Sequence, residues 1–563
     1  MHIFDLIQSF VLLALIVLAT PLLGQYMANV FEGKSTFLHP LLGWFERLCY
    51  RISGIDPDEE TPWTSYAKDF LIFNGIGFVI LLLMLTFQNI FPLNPQNLPG
   101  VSWPLAFNIS SSFVTNTNWQ SYAGETTLSY FSQMLGLTVQ NYFSAASGMA
   151  VFLALARGIA KKSASTLGNF WVDLVRMTLY VLLPLSFLFA VVLASQGVIQ
   201  SLDPYVTFNT LEGGKQTIPL GLVASQEAIK QLGTNGGGFF NANSAHPFEN
   251  PSGWTNFLEA FAILLIPAAS TYTYGIIIGS KKHGWLLFNT MLTILVLGTA
   301  ASLVSERLHD PVLGAYPLLE GIESRIGQSN SLFWTISTTA TANGSTNAAI
   351  SSLSPLSSGI AMFNIMLGEL VFGGIGVGMC SILVFTLLTV FLSGLMVGRT
   401  PEYLGKKIEK HEMKWVMASV LIPGALILIG TSISVILPSA LSSLGNHGPH
   451  GFSEILYAFT SSSGNNGSAF AGLNANTDYY NLVLGIVMIA ARLAIVIPSL
   501  AIAGLLVSKK ITPSSTGTLS NESFLFGVLL FSVIIIVGGL TFFPALSLGP
   551  VIEHLLMING RIY

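Results

Sequence analysis

The stretch Gly233-Thr-Asn-Gly-Gly-Gly238 decides how this chain folds. It lies between two apolar runs, near residues 173–195 and 257–279, and each run is long enough to cross a bilayer as a helix. A hydrocarbon core of about 30 Å requires about 20 helical residues. Glycine-rich backbone between two such spans is tolerated at membrane depth only where it lines a water-filled path or is buried in protein. The stretch therefore predicts a re-entrant loop.

The composition places the whole chain in a membrane. Of its 563 residues, 52% are apolar and only 9% are charged, whereas soluble domains carry about 25% charged residues. We therefore predict an all-α integral membrane protein. The long apolar runs lie near residues 7–30, 69–91, 173–195, 257–279, 285–304, 357–397, 415–437, 482–507 and 524–546.

The same composition argues against several other classes of protein. The net charge is −4 and the chain has no polybasic tail, so a nucleic acid is not an expected partner. Two cysteines exclude a disulfide framework and a four-thiolate metal site, and Cys380 is expected to be a small core residue. The N-terminal run Phe10–Leu23 follows an acidic residue and lacks a small-residue cleavage site, so we expect a retained helix and not a signal peptide.

Basic residues predict the orientation. The segments 92–129 and 440–478 contain no Lys or Arg, whereas twelve of the 23 basic residues lie in four clusters. By the positive-inside rule these clusters are cytoplasmic, and Lys34, Arg47, Arg51 and Lys68 place the first loop inside as well. Ten spans with both termini outside the cell satisfy this pattern. The clusters are Arg157, Lys161 and Lys162; Lys281 and Lys282; Arg399, Lys406, Lys407, Lys410 and Lys414; and Lys509 and Lys510.

The stretch is one of four clusters rich in Gly, Asn, Thr and Ser. The other three are Val114–Gln120, Thr338–Gly344 and Ser461–Gly467. With Asn116, Gly236, Gly344 and Gly467 taken as equivalent points, they recur with a period of about 115 residues, which indicates an internal fourfold repeat. We predict four helix–pore loop–helix repeats and one flanking helix at each end. The expected segments are residues 1–65, 66–165, 166–282, 283–412, 413–510 and 511–563.

The chemistry of the four clusters favours a pore for a monovalent cation. None of them contains a carboxylate, and backbone carbonyls can replace the hydration shell of such an ion. Glycine and asparagine permit the positive φ angles that turn carbonyls toward one axis. Short segments such as Phe452–Thr460 are expected to be pore helices whose C-terminal ends face the ion. A single cluster of this kind is usually an ordinary surface loop, whereas four in register favour the pore.

Several blocks of sequence resemble the A subunit family of the potassium-transporting ATPases, KdpA. The resemblance implies a potassium transporter with K+ as the transported ion and no organic cofactor. It implies a complex with a P-type ATPase subunit (KdpB), with KdpC and with a small KdpF peptide, in the bacterial inner membrane and in contact with membrane lipid. The blocks are Thr115–Tyr122, Gly124–Gln133, Gly233–Asn243, His246–Pro251, Gly398–Lys407 and Gly448–Glu454.

The resemblance also implies which residues form the ion filter. The third loop reads Thr341-Ala-Asn-Gly344 where members of the family often have Ser-Cys-Gly, which main-chain coordination should tolerate. The expected filter residues are Thr115, Asn116, Thr117, Asn118, Thr234, Asn235, Gly236, Ala342, Asn343, Gly344, Asn465, Asn466 and Gly467.

The chain is not expected to hydrolyse ATP. It lacks the Asp-Lys-Thr-Gly-Thr motif of P-type pumps, and Gly33–Ser35 has Ala28 where a P-loop requires glycine. The energy must then come from a partner. The alternative is a stand-alone potassium channel or ion-coupled symporter with the same pore. A membrane enzyme that uses Glu and His has little support, because no metal or triad spacing is present.

Two features within the spans suggest control of the ion path. Arg492 lies mid-span, where a charge is costly unless it faces a cavity or a partner, so it is either a positive barrier below the filter or a snorkelling or ion-paired residue. The run 357–397 is too long for one span and is interrupted by Phe372–Gly378. Glu369, Gly373 and Gly374 then form either a gating element that attracts the cation or a packing seam of small residues.

Three outward polar residues have weaker predictions. His447 and His450 could hold a metal, but two ligands without a third favour a structural role. Gln120 either tunes the filter or braces its loop.

Overall fold

A computed structural model describes residues 3–308, 319–396, 398, 400–511 and 520–561. Arg399, one of the predicted cytoplasmic residues, lies outside the described residues. Sixteen helices of seven or more residues, counted with their short π-helical turns, account for most of the described chain. They are α1 (Ile3–Phe31), α2 (His39–Ser53), α3 (Trp63–Thr86), α4 (Trp103–Val114), α5 (Ser132–Ala160), α6 (Phe170–Ser195), α7 (Val223–Leu232), α8 (Gly253–Ile277), α9 (Lys281–Ser305), α10 (Gln328–Ala340), α11 (Pro355–Met366), α12 (Val377–Met396), α13 (Lys410–Ser434), α14 (Gly448–Ser463), α15 (Asp478–Val507) and α16 (Phe524–Ile558).

Ten of these helices are long and apolar enough to span a membrane, as predicted. One of them, α5, is absent from the apolar runs of the sequence, because it carries Gln133, Gln140, Asn141 and Ser144 along its length. These side chains do not face lipid, since most of α5 is buried inside the protein. The helix can be polar because its surroundings are protein. The ten helices are α1, α3, α5, α6, α8, α9, α12, α13, α15 and α16.

The predicted four repeats are confirmed. Each repeat contains a spanning helix, a short helix and a second spanning helix, repeat 3 has α11 in addition, and α1 and α16 flank the set. The short helices are the pore helices: α4 in repeat 1, α7 in repeat 2, α10 in repeat 3 and α14 in repeat 4. The six segment boundaries given above stay a prediction.

The long apolar run 357–397 contains only one helix of spanning length, α12. The preceding part forms α11, and residues 367–376 between them have no regular structure; we call them the linker. Four linker residues have positive φ angles, at 82°, 54°, 47° and 76°, which no helix can contain. They are Gly368, Glu369, Phe372 and Gly376.

The N-terminal helix is part of the packed body. Met27 and Ala28 of α1 are fully buried, and the carbonyl of Gly24 accepts a hydrogen bond from the Thr273 hydroxyl of α8 at 3.1 Å. A Cβ built on Gly24 would lie 2.8 Å from the carbonyl oxygen of Ala269. The close approach of α1 and α8 therefore requires glycine at this position.

Two small hairpins interrupt the helical architecture. Strands β1 (Val206–Asn209) and β2 (Lys215–Ile218) pair antiparallel, as do β3 (Glu402–Tyr403) and β4 (Lys406–Lys407). The ammonium of Lys406 donates to the carbonyls of Gly158 at 2.9 Å and Leu506 at 2.8 Å. These carbonyls lie in the last turns of α5 and α15. Lys406 of the second hairpin therefore caps two spanning helices with one positive charge.

A buried ion pair between α5 and α6 should contribute strongly to stability where repeats 1 and 2 meet. Arg157 binds both carboxylate oxygens of Asp173, at 2.6 and 2.8 Å, and the Tyr66 hydroxyl donates to the same carboxylate at 2.9 Å. Asp173→Ala leaves a largely buried guanidinium unpaired, which costs about 3–5 kcal/mol. We expect a clear fall in the melting temperature of the purified protein in detergent. Glu32→Ala, which breaks the exposed Glu32–Lys34 pair, should leave the melting temperature nearly unchanged.

If both variants melt alike, the buried pair is not a determinant of stability.

Candidate ion filter

Each pore helix ends at one of the four clusters rich in Gly, Asn, Thr and Ser. We call residues 115–118 loop 1, 233–236 loop 2, 341–344 loop 3 and 464–467 loop 4. In all four, the third residue donates its amide to a carbonyl five residues earlier in the pore helix, so the loops share one backbone path. The N–O distances are Thr117 to Ser112 2.9 Å, Asn235 to Lys230 2.9 Å, Asn343 to Thr338 3.1 Å and Asn466 to Ser461 2.9 Å.

The second and fourth residues of every loop have positive φ angles. Because the sign of φ alternates, the carbonyl groups of a loop do not follow the pattern of a helix or a strand. Such a backbone can direct successive carbonyl oxygens toward one axis. It also corrects the register of the repeat, because the residue equivalent to Gly236 is Asn118 and not Asn116. The pairs are Asn116 (61°) and Asn118 (52°), Thr234 (49°) and Gly236 (87°), Ala342 (52°) and Gly344 (82°), and Asn465 (43°) and Gly467 (94°).

The four loops contact one another in a closed ring. A Cβ on Gly236 would lie 1.7 Å from the carbonyl oxygen of Asn343, so loop 2 abuts loop 3. Loop 3 abuts loop 4 in the same way, with Gly344 and the Asn466 carbonyl at 1.8 Å, and loop 4 abuts loop 1, with Gly467 and the Thr117 carbonyl at 1.9 Å. The ring closes where the Asn116 amide donates to the Thr234 carbonyl at 2.9 Å.

Asparagine side chains hold neighbouring loops together. Asn466 donates to the carbonyl of Thr338 at 2.9 Å, and Asn343 makes the equivalent bond to Lys230 at 3.2 Å. Asn465 donates to the Thr117 hydroxyl at 2.8 Å. Ala342, at the unusual third loop, keeps the fourfold backbone geometry. The departure from the family pattern therefore leaves the main-chain path intact.

A second layer of side chains supports the ring from outside. Trp334 donates its indole N–H to the carbonyl of Ser345 at 2.9 Å, and the hydroxyls of Tyr457 and Ser468 lie 2.7 Å apart. On α5, Asn141 accepts from Asn118 at 2.8 Å and Ser144 donates to Asn116 at 2.7 Å. The polar residues of α5 thus provide hydrogen-bond partners for the asparagine side chains of loop 1.

Gln120 braces loops 1 and 2. Its amide group donates to the carbonyl of Gly238 at 3.0 Å and to the hydroxyl of Tyr122 at 3.1 Å. Its amide oxygen accepts from the backbone N–H of Gly238 at 2.9 Å. Of the two roles expected for Gln120, these contacts support the bracing one.

An open cavity lies next to the ring. It is lined by residues that follow each of the four loops, so every loop leads into the same space. Trp119 follows loop 1, Asn241 loop 2, Thr346 loop 3 and Ala469 loop 4. One cavity therefore adjoins all four loops.

The linker lies against loop 2. The amide of Ile375 donates to the hydroxyl of Thr234 at 3.0 Å. Cβ atoms on Gly373 and Gly374 would lie 1.6 Å from the carbonyl oxygen and 2.7 Å from Oε2 of Glu369. These two glycines allow the linker to fold tightly around Glu369.

The structure brings Arg492 and Glu369 together, which the sequence did not predict. Both side chains are buried, with Nη1 of Arg492 3.6 Å from Oε1 of Glu369. Among the described residues these two atoms have no hydrogen-bond partner. The pair is therefore an electrostatic contact beside loop 2 that lacks the close hydrogen bonds of a well-formed salt bridge.

The structure does not support a histidine metal site. His450 is paired with Glu553 of α16, with Nδ1 and Oε1 2.7 Å apart. Nowhere in the described part of the chain do three His, Cys, Asp or Glu side chains gather as metal ligands would.

Sequence reasoning missed a group of buried charges behind loop 2. Glu227 and Lys230 of α7, Glu249 in the turn before α8, and Glu259 of α8 are all at most 1% exposed. The available signal was the spacing of Glu227 and Lys230, which places both on one face of a short apolar-flanked helix.

Comparisons with known proteins agree with this geometry. The sequence model of the family described as "Potassium-transporting ATPase A subunit" (KdpA) matches residues 10–555. A potassium-transporting ATPase potassium-binding subunit from Rhodospirillum centenum is 52% identical, over 99% of this chain and 98% of the relative. One of the same name from Leptospira interrogans is also 52% identical, over 98% and 99%.

A solved structure shows the same fold. The potassium transporter TrkH from Vibrio parahaemolyticus superposes with a TM-score of 0.52 at 16% identity, over 88% of this chain and 97% of that one. The match of the family model to nearly the whole chain shows that this chain belongs to the potassium-transporting ATPase A subunit family, KdpA.

Proposed function

We propose that this chain is the potassium-binding, ion-selecting subunit of an ATP-driven potassium uptake complex. The observation that carries the proposal is the closed ring of four loops with the same alternation of positive φ angles. Such a ring offers backbone carbonyl and hydroxyl oxygens from four sides. Oxygen dipoles of this kind replace the hydration shell of a monovalent cation. Two relatives that are 52% identical to this chain are named as potassium-binding subunits.

The absence of carboxylates in the four loops supports K+ over a divalent ion. Ca2+ sites are built with Asp and Glu oxygens, whereas loops 1 to 4 contain only Gly, Ala, Thr and Asn. The pore helices end at the loops, so their C-terminal dipoles favour a positive ion there.

The energy is proposed to come from a partner. The curated relatives are named as subunits of an ATPase, and this sequence lacks the phosphorylation motif of P-type pumps. The proposed partners are a P-type ATPase subunit (KdpB), KdpC and a small KdpF peptide. The proposed location is the bacterial inner membrane, with the basic clusters inside and both termini outside.

The linker and the Arg492–Glu369 pair are proposed to control passage below the filter. The linker contacts Thr234, and the positive charge of Arg492 lies beside Glu369, so an ion that leaves loop 2 meets a guanidinium. Such a charge opposes a free leak through the chain. The ion is then redirected toward the partner.

The first test is ATP hydrolysis by the purified complex of this chain with its co-expressed ATPase, titrated with K+ and with Na+. The proposal expects stimulation by K+ and not by Na+. If no ATPase co-purifies, or if hydrolysis ignores K+, the stand-alone channel or symporter becomes the better description.

Gly236 tests the filter itself. In Gly236→Ala the new Cβ overlaps the Asn343 carbonyl, at 1.7 Å, and must push loops 2 and 3 apart. We expect the K+ concentration for half-maximal hydrolysis to rise about tenfold or more, a loss of ~1.4 kcal/mol of binding, and Na+ to begin to stimulate.

The control is Gly213→Ala in the turn of the β1–β2 hairpin. Gly213 has a similar φ of 83° but no atom within 4 Å of its added Cβ. It should behave as the unaltered complex does. An unchanged K+ response in Gly236→Ala would contradict the assignment of the filter.

Arg492 tests the barrier. We expect Arg492→Met in reconstituted complex to raise Rb+ flux without ATP by about tenfold or more, since ~1.4 kcal/mol of barrier is a factor of ten in rate. The double variant Arg492→Met/Glu369→Gln should leak less than Arg492→Met, because it removes the unpaired carboxylate that attracts the ion. Lys162→Met, in an exposed turn, is the control. A tight Arg492→Met complex would leave Arg492 with only a structural role.

A further inference from the structure

A buried ionic cluster lies behind loops 2 and 3. We define it as Glu227, Lys230, Glu249 and Glu259. The ammonium of Lys230 donates to Glu227 at 2.9 Å, to Glu249 at 2.7 Å and to the hydroxyl of Ser244 at 2.8 Å. All three of its N–H groups are thus satisfied. The cluster contains three carboxyl groups and one ammonium group. If all three carboxyl groups were ionised, its net charge would be −2.

The three carboxyl groups differ in their hydrogen bonds. Besides Lys230, Glu227 accepts from Gln231 at 2.6 Å, and Glu249 accepts from the backbone N–H of Phe240 at 2.8 Å. Glu259 has a single long donor, Gln231 at 3.3 Å. Its Oε1 has no hydrogen-bond partner within the described residues.

This difference identifies the carboxyl group that holds a proton. A fully buried carboxylate with one weak donor is very costly, whereas a neutral carboxylic acid can itself donate. The side-chain amide of Gln231 donates to both Glu227 and Glu259, so the two carboxyl groups are neighbours. With Glu259 neutral, the cluster keeps one net negative charge.

The cluster is joined to the filter through backbone. The carbonyl of Lys230 accepts from the Asn235 amide at 2.9 Å and from the Asn343 side chain at 3.2 Å. Gln231, which contacts both Glu227 and Glu259, accepts from the hydroxyl of Ser345 at 3.2 Å. A change of charge at Glu259 therefore acts next to two of the four loops.

We propose, on the basis of the function proposed above, that Glu259 carries an ionisable proton whose loss raises the affinity of the filter for K+. An additional negative charge close to the loops favours a bound cation in this poorly screened interior. By linkage, K+ binding favours release of that proton to the same extent. Glu259 thus acts on the bound ion through its charge and is not itself an ion ligand.

In the described part of the chain, the charged groups that act on Glu259 are the other three members of the cluster. The elements around α8 carry further charged or titratable groups outside the cluster. His246 lies in the 238–250 segment and Arg325 contacts it, Lys281, Lys282 and His283 begin α9, Tyr272 and Tyr274 lie near the end of α8, Arg157 lies on α5 and Cys380 on α12.

The test is the pH dependence of K+-stimulated hydrolysis by the intact complex. From mildly acidic to mildly alkaline pH, the K+ concentration for half-maximal activity should fall about three- to tenfold, the size expected for one nearby charge. In Glu259→Gln, which imitates the neutral acid, it should stay at the acidic value throughout. Glu259→Asp should restore a pH-dependent fall, and Glu212→Gln, in the exposed hairpin, should match the unaltered complex.

Infrared difference spectra on K+ addition provide a readout without activity. At the midpoint of this pH transition the carbonyl stretch of a protonated carboxyl should weaken when K+ binds, and Na+ should have no such effect. The unaltered complex suffices if Glu259→Gln does not fold. Stimulation by K+ with equal pH slopes in the unaltered complex and Glu259→Gln overturns this inference alone. A complex that ignores K+ at every pH overturns the proposed function instead.

Discussion

Peptide groups that lie inside a membrane protein without helical partners must find other partners, and the four loops depend on this constraint. Each unpaired N–H or C=O buried away from water costs free energy comparable to a lost hydrogen bond. The third amide of each loop is satisfied by its pore helix, and asparagine side chains satisfy carbonyls of the neighbouring repeat. The ring therefore stabilises itself, and the ten spanning helices hold it in place.

The same constraint explains why α5 is polar. Asn141 and Ser144 bond to loop 1, and the close contacts of Gly148 with the carbonyl of Ile375 and of Gly376 with that of Gly148 let the linker approach this helix. A more apolar α5 would remove the partners that Asn141 and Ser144 provide for Asn118 and Asn116. Its weak hydrophobic signal in the sequence is thus the consequence of its place next to the filter.

Much of the architecture could be predicted from the sequence, because span length, base-poor outer segments and the fourfold recurrence are local patterns. The register of loop 1 could not, since Thr115–Asn118 has no glycine to align with Gly236, and only the backbone angles show that Asn118 takes that place. The break in the run 357–397 was visible from its glycines, but its contact with Thr234 joins residues 141 positions apart. The Arg492–Glu369 pair could not be found from spacing, because it depends on how separate repeats pack. The ionic cluster lies within repeat 2, and only its Glu227–Lys230 spacing was visible, because Glu249 meets Lys230 through the fold of the segment after α7.

The charges of the protein are arranged in distinct layers around the filter. The loops themselves carry none, the ionic cluster lies behind loops 2 and 3, and the guanidinium of Arg492 lies where the linker meets loop 2. In the proposed account, a cation is attracted to the ring by dipoles and by buried negative charge, and it is opposed beyond the ring by a positive one. Selection and retention of the ion would then be separated in space.

The most direct test of this account is anomalous diffraction from crystals of the complex grown with Rb+ in place of K+. The account predicts Rb+ peaks enclosed by the carbonyls of loops 1 to 4, which disappear when Na+ replaces Rb+. Peaks that lie only at Glu369 or in the outer cavity, with the ring empty, would contradict the claim that these four loops select the ion.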